Sequence, residues 1–589
     1  MPEPLVLWLS AAENPEEMEQ ARWLELAASE LECTAADLDL IVVDRISFDA
    51  RRRSMQWRVA VEAYRKGEEL PSLELPQKPA ITPPADDAPH VVIVGSGPAG
   101  LFAAMELLQA GIRVTVCERG KQVQERRRDI AKLNRGEDAD VDSNYAFGEG
   151  GAGTYSDGKL YTRSSKRQNV REVLETLVAH GSPPIILNAW RPHIGSNLLP
   201  KVVEDMRETI EQGGGKMLFQ ARVASLETEA LPGAEEEGAA QARVTAAVLA
   251  DGTRLEADAV ILATGHSALD ALLFARDAGA SMEPKGFAMG VRVEHPQAWL
   301  DDLQYHGRRQ ADDLPAAFYE MSVQVRERGV FSFCMCPGGW IVPSQSVDGT
   351  LVVNGMSLAS RDSPFANSGY VVAIEPKDWC GKRGWRWGWP DLLRKAAKVS
   401  DHPMLHEVVE DPRGGAPLNI AEGRLPVHPM MDPLFGVRLQ LALEVVAAHA
   451  GGGEHVAPAQ RCDLFFSGDA TETEPLGTSY LPGLKPVDFD TILPKGMASR
   501  MREGMETFDK KMPGFVSEFG QMIGVETRTS SPVRLLRDKE SLQNPQLTGL
   551  YPCGEGAGFA GGIVSAALDG LRVSRAFLAS RQESSAPKG

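Results

Sequence analysis

The chain has 589 residues, 43% hydrophobic and 24% charged, with a net charge of −19. That length can bury a large core in several domains, and the acidic balance argues against bulk attraction to nucleic acid or an anionic membrane. No apolar run approaches the roughly 20 residues of a membrane span, MPEPLVLWLSAAENPEE lacks a basic leader, and seven scattered cysteines suggest a reducing compartment, so a cytoplasmic protein without a disulfide framework is expected.

Residues 1–70 read as a small α+β unit. A strand is expected over Leu5–Leu9, and a helix over Pro15–Leu31 with Asn14 as its N-cap. Two further strands are expected, Leu38–Ile46 and Met55–Ala63; in the latter Met55, Trp57, Val59 and Val61 fall on alternate positions. Arg51, Arg52 and Arg53 in the turn between them read as a solvated charge run, or else as a docking patch for an acidic partner. The Pro-rich residues 71–89 form a linker.

Residues 90–120, HVVIVGSGPAGLFAAMELLQAGIRVTVCERG, carry the strongest signal. An apolar strand runs into Gly95, Gly97 and Gly100, a helical pattern follows, Gly111 stops it, and a second strand ends in Glu118 and Arg119. This is a dinucleotide fingerprint in its βαβ context. The turn Gly95, Ser96, Gly97, Pro98, Ala99 and Gly100 is expected to bring backbone N–H groups to a pyrophosphate, and Glu118 to accept from a ribose diol.

A Gly-rich run follows at 147–160, FGEGGAGTYSDGKL. Its flexible backbone suits close approach to a flat ring, with Gly150, Gly151, Thr154, Ser156, Asp157, Gly158 and Lys159 as candidate contacts. Residues 229–242 read as a hairpin tip, and 256–265 as a strand ending in Ala263, Thr264 and Gly265. The segment WCGKRGWRWGWP (379–390) interleaves tryptophans with basic residues; it reads as a helix end or partner surface, or else as a base-stacking patch. Residues 441–460 read as a flexible surface excursion. Residues 549–571 form a strand, then a turn with Gly554, Glu555, Gly561 and Gly562, then a helix from Ile563. Two nucleotide-type turns at opposite ends of one domain turn the dinucleotide into a flavin: AMP at the first, ribityl chain and ring at the last.

Candidates for chemistry are sparser. His193 and His266 lie near the expected cofactor loops and could move a proton beside a flavin. His295 could equally belong to the substrate region. Lys159 and Arg528 could stabilise negative charge on a reduced flavin, and Arg528 could instead bind a carboxylate. Cys334 and Cys336 form a C-x-C pair whose side chains share one face of a strand; packing is the first reading, redox activity the second. Cys553 reads as a packing residue. No Cys or His set has metal-ligand spacing, so no metal is expected. No second strand–GxGxxG–helix unit exists for a nicotinamide domain; NAD(P)H as a transient reductant, or a protein electron donor, would have to reduce the flavin.

The motifs FGEGGAGTYSDGKL, RPHIGSNLL (191–199), ATGHSALD (263–270), GFAMGVRVEHPQ (286–297), FCMCPGG (333–339), GVETRTSSPVR (524–534) and GEGAGFAGGIVSAALDG (554–570) together resemble the FAD-dependent dehydrogenases of the glutathione-reductase-type flavoprotein superfamily, over about 90–575. The resemblance implies an α/β, Rossmann-like FAD-binding domain with an inserted β-rich substrate domain, divided as 90–280, 281–500 and 501–580, with 581–589 as a disordered tail. It also implies that Val223 meets the adenine through its backbone, after a helix over Leu198–Gln212, and that Gly562 and Ile563 face the pyrimidine edge of the flavin. The expected function is an FAD-dependent oxidoreductase passing hydride through flavin N5 to or from an unidentified small molecule. The alternatives are an FAD-dependent tRNA-modifying enzyme and a flavin-bound redox-sensing scaffold.

Overall fold

The computed structural model describes residues 2–49, 55–138, 140–160, 167–189, 191–232, 240–306, 314–411, 414–453, 455–471 and 473–585. Three sheets matter for the site. The first is antiparallel, with Gln56–Arg65 between Glu3–Ser10 and Leu38–Asp49. The alternation expected in Gln56–Arg65 sends Val59, Val61 and Ala63 inward against Trp23 and Ala27 of the helix Gln20–Glu30. That helix starts later than expected, with Glu19 as N-cap. Asn14 does not cap it: its Oδ1 accepts from the Glu16 N–H at 3.1 Å, a local turn that competes with helix initiation. The arginine run Arg51–Arg53 lies outside the described residues.

The second sheet is parallel and five-stranded, in the order Leu550–Pro552, Ala259–Leu262, His90–Val94, Arg113–Cys117, Lys216–Leu218. Its three central strands are apolar almost throughout because both faces are covered. The helices Pro98–Gln109 and Ile563–Ser585 pack on each other at glycine-only distances: a Cβ on Gly570 would stand 2.2 Å from the Ala99 carbonyl. The second of these helices continues through Ser585, so residues 581–585 are not the disordered tail expected; 586–589 lie outside the described residues. The short run after Leu578 is polar, and a helix that is already packed propagates through it at one hydrogen bond per residue.

The third sheet has seven strands: Ser322–Val325, Arg328–Cys336, Phe365–Ile374, Phe287–Pro296, Gln521–Glu526, Ala457–Arg461 and Leu484–Pro486. All neighbours pair antiparallel except the last two. The boundary expected at residue 500 therefore moves. It cuts the helix Lys495–Lys511 and strands Gln521–Glu526 outside a sheet whose middle it occupies. That strand is buried along its whole length and so lacks the alternation of a half-exposed antiparallel strand, which is why the sequence pattern did not assign it here.

Two further expectations are corrected. Residues 441–460 are not a surface excursion: the helix Phe435–Gly451 is buried on nearly every side and Ala457–Arg461 is a sheet strand. A helix apolar all round is a core helix, and AHAGG is only its glycine-stopped end. In the 379–390 segment, Trp379, Trp387 and Trp389 are buried, the last two stacked 5.5 Å apart, and only Trp385 is exposed. No stacking platform for bases remains, nor a tryptophan-rich partner face. Among the described residues, no helix is long and apolar enough to cross a membrane.

Candidate active site at the turns of the parallel sheet

Glycine geometry builds the fingerprint turn. Gly95 has φ +106, and a Cβ there would meet the Ala263 carbonyl at 2.5 Å, so the ends of two neighbouring strands close on each other. Gly97 is the opposite case. It is the N-cap of Pro98–Gln109, offers no side-chain cap, and a Cβ on it would find only Gly151 Cα at 3.9 Å. The open space and the positive end of the helix coincide.

Glu118 holds this turn to its neighbours. Its Oε2 accepts from Ser96 N (3.0 Å) and Ser96 Oγ (2.7 Å), and its Oε1 from Gly120 N (2.9 Å) and Gly148 N (3.0 Å). A carboxylate offers about four lone-pair sites, and the protein fills all four. Glu118 reaches the cavity wall, where a cofactor contact was expected, and also staples the turns to one another.

Sequence reasoning missed the residue that shapes the second Gly-rich run. Arg126 is fully buried, and its guanidinium donates to the carbonyls of Asn144 (2.9 Å), Tyr145 (3.2 Å), Glu149 (2.7 Å) and Gly151 (2.9 Å). A fork with five donors suits an irregular loop whose carbonyls have no strand partner. Burial lowers its pKa to about 10, so it stays charged at neutral pH. Glu149 ties the same run to the helices on either side, accepting from Val123 N at 2.7 Å and pairing with Arg207 at 2.7 Å. The only sequence signal for either was a charge beside glycines, which is common on surfaces.

These turns face one cavity of about 1860 Å³. Single-ligand pockets run to about 1,000 Å³, so a dinucleotide and a second molecule both fit. Gly95, Gly97, Pro98, Ala99, Glu118, Arg119, Gly151, Ser156, Asp157, Gly158 and Lys159 line it, as do Val223, Ala263, Thr264, Gly265, Gly554, Glu555, Gly561, Gly562 and Ile563. His193 and His266 line it too. Ser96, Gly100, Gly150 and Thr154 do not. Ser96 is spent on Glu118, and a Cβ on Gly100 would stand 2.0 Å from the Gly95 carbonyl. Thr154 Oγ1 donates to the Glu149 carbonyl at 3.0 Å, in the space a Cβ on Gly150 would fill. These four shape the turns from behind.

Arg528 is the clearest displacement from expectation. It lies in a buried pair with Glu444, at 2.7 and 2.8 Å, away from the cavity. A buried arginine needs a carboxylate opposite it, and the helix Phe435–Gly451, whose residues from 441 onward were read as surface, supplies one. His295 is likewise off the cavity: it is buried, stacks on Trp299 at 4.6 Å and meets the Phe515 carbonyl at 3.0 Å. Burial pushes its pKa down to about 4, so it stays neutral. Cys553 is fully buried, as read.

Within the cavity wall, His266 Nδ1 meets Glu555 Oε2 at 2.8 Å. Burial pushes the Glu555 carboxyl up, but the hydrogen bond and charge of His266 with the Gly562 N–H more than offset this and leave it below its ordinary value. The two flavin-type segments are thus joined by an acid–base pair across a sequence gap of nearly the whole domain. Burial and the neighbouring Arg361 keep His193 below the ordinary imidazole value. Asp157 pairs with Arg361 at 2.8 Å and Lys159 at 3.6 Å; against burial, these two cations bring its pKa down to about 2.

The remaining wall is aromatic and was not foreseen. Phe318, Phe331 and Phe333 come from the seven-stranded sheet and the segment leading into it, Phe48 and Trp57 from the hairpin of the first sheet. The Phe48 and Trp57 rings lie 4.5 Å apart, and Phe48 also meets Tyr305 edge-on at 6.2 Å. The Ile46 N–H donates to the Asn188 carbonyl at 2.9 Å, fixing the hairpin to the wall. Among the described residues, no group of three or more His, Cys, Asp or Glu side chains is placed to hold a metal.

The model of an FAD binding domain matches residues 89–131, and that of an FAD-dependent protein, C-terminal domain-like, matches 286–386 and 422–529. An uncharacterised protein of Clostridium beijerinckii is 36% identical over 487 residues, which is 82% of this chain and 79% of that one. Solved structures are far more distant. A crystal structure of CtdE in complex with FAD shares 11% identity over 84% of this chain and 89% of that chain (TM-score 0.28). One of 2-methyl-3-hydroxypyridine-5-carboxylic acid oxygenase shares 10% over 83% and 82% (TM-score 0.29). Neither likeness bears weight. The Clostridium relative and the two matched regions carry the assignment: the chain belongs to the family of FAD-dependent proteins with this C-terminal domain, its cofactor is FAD, and it is an FAD-dependent oxidoreductase.

Proposed function

We propose that one FAD lies extended between the Gly95–Ala99 turn and the Gly554–Ile563 turn, and that the aromatic part of the cavity takes a small organic substrate. The observation that carries this reading is the convergence of those two turns, far apart in sequence, on one cavity large enough for two molecules. When bound, FAD supplies two-electron hydride chemistry at its ring. The chain supplies the rest. The uncapped first turn of Pro98–Gln109 and the open face of Gly97 receive the pyrophosphate, and Val223 offers its backbone to the adenine. Gly562 and Ile563 border the ring. His266, oriented through Nδ1 by Glu555, holds or returns the substrate proton at Nε2. The aromatic side chains exclude water and favour an apolar, flat substrate.

With a single dinucleotide fingerprint in the chain, the reductant docks transiently: NAD(P)H or a protein carrier. The test is anaerobic mixing of the yellow protein with NADH, NADPH and reduced ferredoxin, following loss of flavin absorbance. Bleaching by one donor within seconds supports the reading. A folded protein that carries no flavin and takes none up overturns it. The tRNA alternative loses its main support with the burial of Trp379, Trp387 and Trp389.

A further inference from the structure

The strand Arg328–Cys336 does not run straight through its C-x-C pair. Register with Phe365–Ile374 slips between Phe333 and Cys336, and Cys334 takes φ +44, a conformation side-chain-bearing residues rarely adopt. Strain of this kind persists only where surroundings impose it, and it clusters at functional sites. The bulge brings both sulfurs to one ammonium: Lys159 Nζ stands 3.5 Å from Cys334 Sγ and 3.7 Å from Cys336 Sγ. Cys334 and Lys159 line the cavity, while Cys336 is buried behind them.

The two sulfurs are not equivalent. Cys336 Sγ lies within hydrogen-bond reach of the Cys334 carbonyl, at 3.3 Å. The side-chain hydrogen bond between the two sulfurs, with Lys159 and Arg292, holds Cys334 well below the ordinary thiol range despite burial, while the same bond and burial push Cys336 well above it. The charged groups around the pair are Lys159 and Asp157 from the Gly-rich run, Arg361 and His193 beyond Asp157, and Arg292 with Glu526 beneath the strand. Arg292 also donates to the Cys334 carbonyl at 3.1 Å and so fixes the bulge.

We propose that Cys334 is a nucleophilic thiolate of the cavity, paired with Lys159, that Cys336 is its resolving thiol, and that the substrate taken there is a disulfide. This names a substrate class for the cavity described above and rests on that reading only for the source of returning electrons. The Cys334 thiolate attacks one sulfur of R–S–S–R′; the new S–S bond forms as the old one breaks, and R′S⁻ leaves. Cys336 then loses its proton to solvent and attacks Cys334 Sγ, closing the Cys334–Cys336 disulfide and releasing RS⁻. The protein dithiol is oxidised by two electrons and the substrate disulfide is reduced by the same two.

The test uses the flavin-loaded full chain, reduced and freed of small thiols. Iodoacetamide labelling at a series of pH values, read by peptide mass spectrometry, should show Cys334 reacting fastest of the seven cysteines, with a midpoint below that of an ordinary thiol at about 8.5. In Lys159→Met the midpoint should rise by at least about one pH unit. Hydroxyethyl disulfide should leave a wild-type peptide linking Cys334 to Cys336 with two hydrogens lost, and in Cys336→Ser a stable mixed disulfide on Cys334. Slow labelling of Cys334, an unshifted midpoint in Lys159→Met, or no Cys334–Cys336 bond overturns the proposal. Flavin absorbance recorded on the same samples reports separately on the FAD reading, so either can fail alone.

Discussion

At Gly97 the smallest side chain in the fingerprint faces open cavity rather than protein. Gly97→Val should therefore fold, with an unchanged circular dichroism spectrum, yet purify colourless because the new methyl groups fill the pyrophosphate's approach. Retained flavin would contradict the turn's assignment. Gly100→Val is the contrasting change: its Cβ meets the Gly95 carbonyl, so loss of soluble protein is expected instead. Arg528 makes the same distinction among charges. Arg528→Ala leaves the buried Glu444 unpaired and should cost about 3–5 kcal/mol in chemical denaturation, with flavin content per folded molecule unchanged. Asp157 gives a pH signature. Its folded value of about 2 lies below its ordinary 3.8, so the stability it contributes is fully present above pH 4 and drains away as pH falls towards 2. That amounts to about 2 kcal/mol, and Asp157→Asn should flatten this part of the acid limb.

The hairpin Leu38–Asp49/Gln56–Arg65 and the loop around Arg126 show what a sequence reveals of an element and what it conceals. Period-two alternation disclosed the strands because one face of that sheet is buried. It did not disclose that Phe48 and Trp57, near the hairpin end, form part of a cavity wall, since that depends on where the unit docks. The glycine turns were legible for a different reason: φ values and close approaches that only glycine tolerates leave a local mark. Arg126 leaves none, because its partners are carbonyls, which every residue has. Arg126→Leu should release those four carbonyls and expose the Gly-rich run to limited proteolysis. The helix Phe435–Gly451 was misread for its flanking glycines, and Gln521–Glu526 because a fully buried strand has no period to read.

Across the whole molecule, the two clefted turns belong to a sheet whose strands come from both ends of a long segment, with the seven-stranded sheet between them in sequence. In the proposed placement FAD would bridge both turns and tie the early and late parts of the chain together, so flavin removal should lower the thermal midpoint. Readdition at about 100 times its dissociation constant should restore about 2.7 kcal/mol. An identical midpoint with and without flavin would place the cofactor outside the cooperative core. The glycine turns were legible because they are local; the aromatic wall was not, because two sheets far apart in sequence assemble it.

That wall carries a consequence for the first sheet. Phe48 and Trp57 are masonry of the cavity, so with the flavin ring seated there as proposed, whatever grips, clips or loosens the amino-terminal strands would also unroof it. A reduced ring under an open roof meets dissolved oxygen, and the reducing equivalents meant for the substrate would leak away as peroxide.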